Sequence, residues 1–331
     1  LSSRQWPEKK VVDCTTPSTT PHETTILKFE SSLLDKSKQN IRFTTSIQLN
    51  ILTKFINISG TLLNLDTPIV MGIANITPDS FYSGSRISAE KQAVERAQQI
   101  IDEGGTIIDI GGQSTSPASK MLTAEEELER VAPMLKAIRR EIPDSIISVD
   151  TFYSDVARAA VEEYGVNIIN DISGGELDSN MFEAVARLRV PYILMHMRGT
   201  PQTMQQHTDY ESLIQEIIYY LSEKKARLHA LGVNDVIIDP GFGFSKTVDQ
   251  NYELMSNLKY FDIFEAPLLV GISRKTMIYK LLGITAEESL NGTTVLNTLS
   301  LLSGANILRV HDVKEAVECV KLTEKVLKPH K

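Results

Sequence analysis

Residues 66–81 read Asp-Thr-Pro-Ile-Val-Met-Gly-Ile-Ala-Asn-Ile-Thr-Pro-Asp-Ser-Phe, and this stretch decides the expected fold. Its apolar run from Pro68 to Ala74 suits a strand that is buried on both faces. Polar residues begin abruptly at Asn75, and a strand that ends in an amide, hydroxyls and a carboxylate suits a ligand site. Seven further apolar runs in the chain also end in residues that can do chemistry.

These runs alternate with amphipathic segments, which predicts an α/β protein with a (β/α)8 TIM barrel. Candidate strands lie near residues 68–75, 106–111, 146–150, 166–171, 191–196, 235–239, 266–272 and 306–310. Candidate helices lie near residues 88–103, 123–141, 153–164, 179–188, 209–231, 248–257, 286–303 and 313–328. A doubly wound open sheet usually has fewer such units. When it binds a dinucleotide it carries a Gly-x-Gly-x-x-Gly turn after its first strand, which this chain lacks there.

Composition narrows the class of protein further. The chain has 331 residues and is 42% hydrophobic, which is ample for one barrel of about 250 residues. Its net charge of −8 argues against nucleic acid as the main partner, and no apolar run is long enough to predict a membrane span. Cys14 and Cys319 fit neither a disulfide framework nor a metal site, so we expect a reducing, intracellular compartment.

Residues 1–60 are predicted to be a linker and N-terminal extension, partly disordered, ahead of a barrel domain at 61–331. Residues 15–25 are rich in Thr and Pro and offer little that can be buried, as is typical of a mobile linker. Residues 26–58 hold short alternating stretches, such as 41–47, which suggest an edge hairpin. The chain starts with Leu1 rather than Met, so we expect it to be a piece of something longer.

In a barrel of this kind the ends of the strands converge on one mouth, where the functional site lies. A single Asp or Asn after a strand is most often a helix cap or a turn former, but eight polar strand ends in succession favour a shared site. Asp150, Asn170 and Asp239 are short acceptors that suit the N–H and amino edge of a flat heterocycle. Met195 and Phe244 suit the two faces of such a ring.

A second group of strand-end residues suits an anion. Arg309 and His311 lie two residues apart on the last strand, so both side chains project to the same side. Phosphate sites in these barrels often use the loops after the seventh and eighth strands. Asn75 offers an amide oxygen that suits Mg²⁺, and we expect it on the side of the mouth opposite the carboxylates.

Over roughly residues 60–331 the chain resembles the dihydropteroate synthases. The matching segments are Met71–Phe81, Asp109–Thr115, Ser148–Thr151, Ile169–Ile172, Met195–Gln205, Asp239–Lys246, Leu269–Lys275 and Arg309–Lys314. The run Met-His-Met-Arg-Gly-Thr-Pro-Gln-Thr-Met at 195–204 is especially specific, because nothing in generic barrel physics predicts it.

The resemblance implies a folate-biosynthesis transferase that is a target of sulfonamides. Enzymes of this family join 6-hydroxymethyl-7,8-dihydropterin diphosphate to p-aminobenzoate and release dihydropteroate and diphosphate. They are usually homodimers and use Mg²⁺. Residues 1–60 resemble the connector to an upstream pterin pyrophosphokinase in fungal-type multifunctional proteins, which implies a cytoplasmic or a mitochondrial location.

The resemblance also assigns roles to residues, and we expect a dissociative substitution at the pterin methylene with Asp150 near the resulting cation. The catalytic residues implied are Asp150, Lys275, Arg309 and His311. The substrate-binding set is Thr115, Asp150, Asn170, Met195, Asp239, Phe244, Gly271, Lys275, Arg309 and His311. Loop closure and p-aminobenzoate contact are expected at Thr77, Pro78, Asp79, Ser80, Thr115, Ser116, Pro117 and Ser273, with Asn75 as the metal ligand.

The chain departs from the family pattern at two positions. Ser116 stands where the family usually has Arg, and Gln113 where it usually has Glu. Loss of the cation in this loop is expected to change substrate closure, with Lys120 or Arg86 as possible substitutes. Two alternatives stay open, a pterin-binding methyltransferase domain and a non-catalytic pterin-binding module. The methyltransferase has no diphosphate to bind, so Asn75 and the Arg309/His311 pair favour the synthase over it. Ser116 is the one feature that favours the binding module.

Overall fold

The strands form an antiparallel hairpin and a parallel barrel in a computed structural model that describes residues 54–75, 86–113 and 119–328. The hairpin pairs β1 (Phe55–Ile58) with β2 (Thr61–Asn64). The barrel strands are β3 (Ile69–Ile73), β4 (Ile107–Gly111), β5 (Ile146–Asp150), β6 (Ile168–Asp171), β7 (Tyr192–Met195), β8 (Val236–Asp239), β9 (Leu269–Val270) and β10 (Ile307–Val310).

The order of the parallel strands confirms the predicted barrel. Neighbouring strands pair in the order β8-β7-β6-β5-β4-β3-β10-β9. An isolated parallel bridge between Ile238 and Leu268 joins the two ends, so the sheet curls back on itself rather than staying open. Successive strands are neighbours and each crossover carries helical structure, which is the arrangement that the alternating sequence pattern predicts.

The helices surround the barrel. They are α1 (Arg86–Asp102), α2 (Ala124–Glu141), α3 (Ser154–Tyr164), α4 (Met181–Leu188), α5 (Leu213–Ala230), α6 (Val248–Ser256), α7 (Thr276–Leu282), α8 (Leu290–Leu302) and α9 (Val313–Leu327). No helix of the described part of the chain is long and apolar enough to cross a membrane.

Two helix predictions need correction. The segment expected to be helical from residue 286 to 303 is divided, with a 3-10 turn at Glu287–Ser289 before α8 begins. Helix α7 was not predicted, because its seven residues are too few for a clear amphipathic period and follow directly on a polar strand end. The first helix buries Ala93, Ala97 and Ile100.

An apolar layer fills the lower half of the barrel. Its members are Ile56, Ile58, Leu65, Met71, Ile107, Ile168, Ile193, Ile237, Leu269 and Ile307, which form one buried cluster. Because β1 contributes Ile56 and Ile58 to this cluster, the hairpin closes the amino-terminal end of the barrel. Of residues 26–58, where an edge hairpin was expected, the structure describes only 54–58, which hold β1; the stretch 41–47 lies outside the described residues.

A polar layer lies above the apolar one. Side chains two residues apart on a strand point the same way, so the strands that place Ile107, Ile168, Ile237 or Ile307 inside also place a second side chain there. Two residues further along each of these strands stand Asp109, Asn170, Asp239 and Arg309. The alternation of the strands therefore puts the chemical groups at the carboxyl end of the barrel.

Candidate active site at the carboxyl end of the barrel

Arg309 joins two carboxylates in the polar layer. Its Nε donates to Oδ2 of Asp109 at 2.7 Å, and its Nη2 donates to Oδ2 of Asp150 at 2.7 Å. Asp109 is wholly buried and also accepts from Nδ2 of Asn170, at 3.4 Å through Oδ1 and 3.3 Å through Oδ2. Within the described part of the chain Nη1 of Arg309 makes no hydrogen bond, so that edge of the guanidinium can meet an anion.

The pKa of Asp150 lies close to neutral pH, where its carboxyl group changes charge. Burial raises the pKa of Asp150 to about 7, although the guanidinium of Arg309 opposes the rise, and the nearby carboxylate of Asp109 adds to it. A carboxyl group with a pKa near neutrality at the mouth of a barrel is typical of a functional position.

Asp239 and Lys275 both contact the loop that follows β8 and influence each other electrostatically. Oδ1 of Asp239 accepts the backbone N–H of Gly241 at 2.8 Å. Nζ of Lys275 donates to the carbonyl oxygen of Phe242 and lies 4.7 Å from the ring centre of Phe244. Burial lowers the pKa of Lys275 to about 8, and the charge of Asp239 opposes that fall. Burial also raises the pKa of Asp239, with Lys275 as the main opposing charge.

His311 is fixed from two sides. Oγ of Ser273 accepts the backbone N–H of His311 at 3.1 Å and lies 3.1 Å from its Nδ1. Nη2 of Arg96 donates to the carbonyl oxygen of His311, while Nε of Arg96 donates to that of Ile73. Burial lowers the pKa of His311 to about 4, and Arg309 lowers it further, so the imidazole is neutral at pH 7. A Ser273 hydroxyl that donates to Nδ1 leaves the proton of His311 on Nε2.

Asn75 lies on the same side of the mouth as Asp150, which corrects the expectation that it lies opposite that carboxylate. Its Oδ1 accepts the backbone N–H of Gly111 at 2.8 Å. A Cβ atom added to Gly111 would lie 2.9 Å from this oxygen and 3.4 Å from Cβ of Asp150, so the two side chains flank the same glycine. The cause is strand order, because β3 is paired with β4 and β4 with β5.

The predicted ring-contact residues share one apolar cluster. Met195 is buried in a group with Phe152, Ile172, Met197 and Met204, and the half-buried Phe244 packs against it. Met195 follows Ile193 by two residues on β7 and therefore belongs to the inward face. Met195 and Phe244 thus line one region of the mouth, as a flat ring would require.

Gly271 and Ser273 follow β9, next to the last strand. The position that a Cβ of Gly271 would take is 3.7 Å from Cβ of Arg309, so Gly271 lies beside the guanidinium side chain. Ser273 supports His311, which places it on the Arg309 side of the mouth.

A cavity of about 770 Å³ opens next to these groups. It shares Phe244 and Lys275 with the strand-end cluster and extends over α6 and α7. The further lining residues are Met204, Gln205, Gly243, Lys246, Thr247, Val248, Asn251, Arg274, Thr276, Met277, Tyr279 and Lys280. The cavity therefore combines an aromatic ring and cationic side chains beside the polar layer.

The remaining predicted loop residues lie outside the described residues: Thr77, Pro78, Asp79, Ser80, Thr115, Ser116 and Pro117. Their expected roles in closure and in p-aminobenzoate contact stay predictions. The described start of the second loop ends at Gln113, whose Oε1 accepts the backbone N–H of Leu122 at 3.0 Å.

Sequence reasoning missed Asp109 as a site residue. It stands in the middle of β4 rather than at its end, so a search restricted to strand ends does not select it. The signal was present, because Asp109 follows the inward-facing Ile107 by two residues. Lys246, which is also buried and polar, was missed because it lies seven residues beyond the end of β8.

The described residues offer no group of three or more His, Cys, Asp or Glu side chains that could hold a metal ion. Oδ1 of Asn75 has a second lone pair beside the one used by Gly111. One neutral oxygen fits Mg²⁺ that arrives with substrate phosphates and keeps several waters, since this ion is commonly bound in that way.

Comparison with known proteins gives a consistent result. The family described as pterin binding enzyme matches residues 71–311 of the chain. The match begins within β3 and ends at His311, so it contains the whole set of barrel strands from Met71 onward.

Three individual proteins illustrate the similarity. The chain is 42% identical to the dihydropteroate synthase of Escherichia coli K12, over 81% of this chain and 95% of that protein. It is 41% identical to a mitochondrial folate synthesis bifunctional protein of Pisum sativum, over 78% of this chain and 53% of that protein. A crystal structure of the Yersinia pestis dihydropteroate synthase with a sulfonamide drug complex superposes with a TM-score of 0.77 and 37% identity, covering 83% of this chain and 100% of that one.

Proposed function

This chain belongs to the dihydropteroate synthase family, and from that premise we propose that it condenses 6-hydroxymethyl-7,8-dihydropterin diphosphate with p-aminobenzoate. The products are 7,8-dihydropteroate and diphosphate, in folate biosynthesis. The observation that carries the proposal is the buried polar layer, in which Asp150, Asn170 and Asp239 lie beside the cations Lys275 and Arg309.

The pterin ring would bind among the buried acceptors. Carboxylates accept paired N–H groups well, and a pterin presents an amino group next to a ring N–H. Asp239 and Asn170 suit that edge, while Lys275 suits a ring carbonyl or nitrogen acceptor. Met195 and Phe244 support the position, because both belong to one apolar cluster at the mouth.

The chemical step is proposed to be dissociative. The C–O bond between the pterin methylene and the diphosphate breaks first, and its electron pair leaves with the diphosphate. The amine lone pair of p-aminobenzoate then forms the new C–N bond, and the nitrogen loses its proton. The ionised form of Asp150 stabilises the cation left at the pterin methylene. No covalent intermediate with the protein is needed.

The leaving group is proposed to meet Arg309 and His311. Arg309 keeps one N–H edge for an anion, and neutral His311 offers a hydrogen bond from Nε2. Asn75 would supply one oxygen ligand to Mg²⁺, which neutralises charge on the diphosphate when bound.

p-Aminobenzoate is proposed to enter from the side of the cavity that Phe244 and Lys275 line. Lys275 and Lys280 there supply positive charge for the benzoate carboxylate, and Phe244 supplies a ring face. Sulfonamides resemble p-aminobenzoate in shape, and a related synthase has been solved with a sulfonamide drug complex. We therefore propose competitive inhibition by sulfonamides at this position.

The assembly is proposed to be a homodimer formed through α8 and α9. Both helices expose large apolar side chains that are costly to leave in water. These side chains are Val295, Leu299, Leu302, Leu322 and Val326. The pea relative is a bifunctional, mitochondrial protein, so fusion to an upstream pterin pyrophosphokinase and an intracellular location, cytoplasmic or mitochondrial, are further parts of the proposal.

The proposal is tested by incubating the purified chain with dihydropterin diphosphate, p-aminobenzoate and Mg²⁺ and measuring dihydropteroate and diphosphate. Equal amounts of both products are expected, with loss of both when Mg²⁺ is chelated. Incubation without p-aminobenzoate tests the order of events, since a dissociative step still releases diphosphate slowly. Pterin binding without any product would contradict the proposed activity and leave a binding module.

A further inference from the structure

Lys246 is a buried lysine that lies beside the polar layer; burial lowers its pKa well below the ordinary value, and the charge of Asp239 opposes that fall. Its Nζ donates to the carbonyl oxygens of Gly241 at 2.9 Å and Phe244 at 3.0 Å. The same atom lies 3.1 Å from Nδ1 of His196. When Lys246 is protonated, these three contacts use all three of its N–H donors and leave none for a substrate.

His196 is the side chain that completes this set. It follows β7 and is 1% exposed, with its ring 4.9 Å from that of Tyr220, edge to face. Burial lowers the pKa of His196, and the charge of Lys246 lowers it further, so the imidazole is neutral. A charged Lys246 requires a lone pair on Nδ1, and the ring proton then resides on Nε2.

The turn that Lys246 holds has an unfavourable backbone. Gly241, Gly243 and Ser245 all have positive φ, at 74°, 81° and 45°. A serine in this region costs on the order of 1 kcal/mol, and such a turn persists only where its surroundings hold it. Lys246 contacts the carbonyls of Gly241 and Phe244, and so ties both ends of the turn to one point.

The same turn carries the contacts of two predicted pterin ligands. The N–H of Gly241 binds Asp239, the carbonyl of Phe242 accepts from Lys275, and the ring of Phe244 lies beneath the Lys275 ammonium. A shift of Gly241 or Phe244 would therefore move the groups that hold Asp239 and Lys275. Small displacements of this kind can lower the efficiency of an enzyme by about 100-fold.

We propose that Lys246 and His196 form a positioning pair, which fixes the Gly241–Phe244 turn and thereby sets the affinity of the site for the pterin substrate. The inference rests on the proposed function, because it takes Asp239 and Lys275 as pterin contacts. Neither member of the pair touches the substrate. Each acts through the turn.

The test compares three substitutions of His196 by steady-state kinetics with dihydropterin diphosphate and p-aminobenzoate. His196→Asn retains an acceptor near the place of Nδ1. His196→Gln carries the same amide one bond further out, near the place of Nε2, and His196→Leu has no acceptor. We expect Gln and Leu to raise the KM for dihydropterin diphosphate about tenfold or more. Asn should keep it close to that of the parent chain.

Lys246→Met supplies a second test, since it keeps most of the unbranched stem of the side chain and removes its donors. It should reproduce the effect of His196→Leu, and the double variant should be no worse than either single one. Thermal unfolding of each variant separates positioning from stability. The same kinetics for Asn and Gln, or folding of the Asn variant alone, would each overturn the proposal. An inactive parent chain would refute the proposed function instead.

Discussion

Asp109 and Arg309 form a buried ion pair between strands 200 residues apart in sequence, with Nε of Arg309 donating to Oδ2 of Asp109 at 2.7 Å. Asp150 shares the same guanidinium, so one cation balances two carboxylates. The pair occupies the polar layer directly above the apolar floor of the barrel. It therefore links the stability of the barrel to the geometry of the proposed diphosphate site.

Replacing Arg309 with Met should affect both properties. The change leaves two buried carboxylates without their cation, and losing one partner of a buried pair typically costs about 3–5 kcal/mol. We expect a fall of that order in the free energy of unfolding at pH 8, measured by urea denaturation. We also expect kcat to fall about 100-fold or more, because the leaving diphosphate loses a charge contact.

The double variant Asp109→Asn/Arg309→Met separates the two effects. Removing one of the stranded carboxylates should restore part of the lost stability, while the activity should stay low. If the double variant recovers activity as well, Arg309 acts only as a structural counter-ion.

The sequence allowed the barrel to be predicted, but only part of the site. Eight apolar runs with polar ends specify parallel strands, since such strands are buried on both faces. Asp150, Asn170, Asp239 and Arg309 could be chosen because each stands at or near a strand end. Asp109 could not be chosen in that way, because its role depends on the pairing of β10 with β3 and of β3 with β4.

The positions of loops and short elements were harder to predict from the sequence. The strand β1 has four residues with alternating burial, which is too short to distinguish from a loop. Asn75 and Asp150 are close because β3, β4 and β5 are neighbours and both side chains flank Gly111 of β4. The pattern of a single strand does not reveal which strands become neighbours. The proximity of Lys246 to His196 likewise depends on how two loops fold back, after β7 and after β8.

Lys275 should produce a basic limb in the pH dependence of kcat/KM for dihydropterin diphosphate. Burial lowers its pKa to about 8, so the free enzyme loses this charge as the pH rises through 8. We expect kcat/KM to fall by up to tenfold per pH unit above that point. Lys275→Arg keeps a charge throughout this range, and its profile should stay flat from pH 8 to 10 even if its maximum is lower. An unchanged limb in the Arg variant would assign the titration to another group.

Glu127 should make the stability of the chain depend on pH. This residue of α2 is wholly buried, and burial raises its pKa to about 8 from the ordinary value of 4.5, against smaller opposing effects of Thr151 and Arg130. A raised pKa in the folded state means that its contribution is fully present below pH 4.5 and is lost as the pH rises through 8. At about 1.4 kcal/mol per pKa unit, the loss is at most about 5 kcal/mol.

Glu127→Gln is the variant that tests this expectation, because the amide is close in size and does not ionise. Its unfolding free energy minus that of the parent chain should increase steadily between pH 5 and 8 and then level off. Urea denaturation at several pH values gives this difference directly. A difference that is constant with pH would show that Glu127 does not ionise differently in the folded and unfolded chains.

The exposed apolar side chains of α8 and α9 should determine the oligomeric state. Val295 and Leu299 lie one helical turn apart on α8 and are 51% and 44% exposed, and Leu322 of α9 is 71% exposed. Burial of such side chains between two copies stabilises a dimer by about 25 cal/mol for each Å² of apolar surface removed from water. Leu299→Lys should therefore shift the chain from dimer to monomer in analytical ultracentrifugation.

The matched control is Leu62→Lys, since Leu62 is 65% exposed and belongs to the hairpin at the amino-terminal end of the barrel, not to α8 or α9. This variant should sediment as the parent chain does. Both variants should keep the thermal stability of the folded monomer, because neither side chain belongs to the core. A parent chain that sediments as a monomer, or a Leu299→Lys variant that stays dimeric, would exclude α8 as the interface.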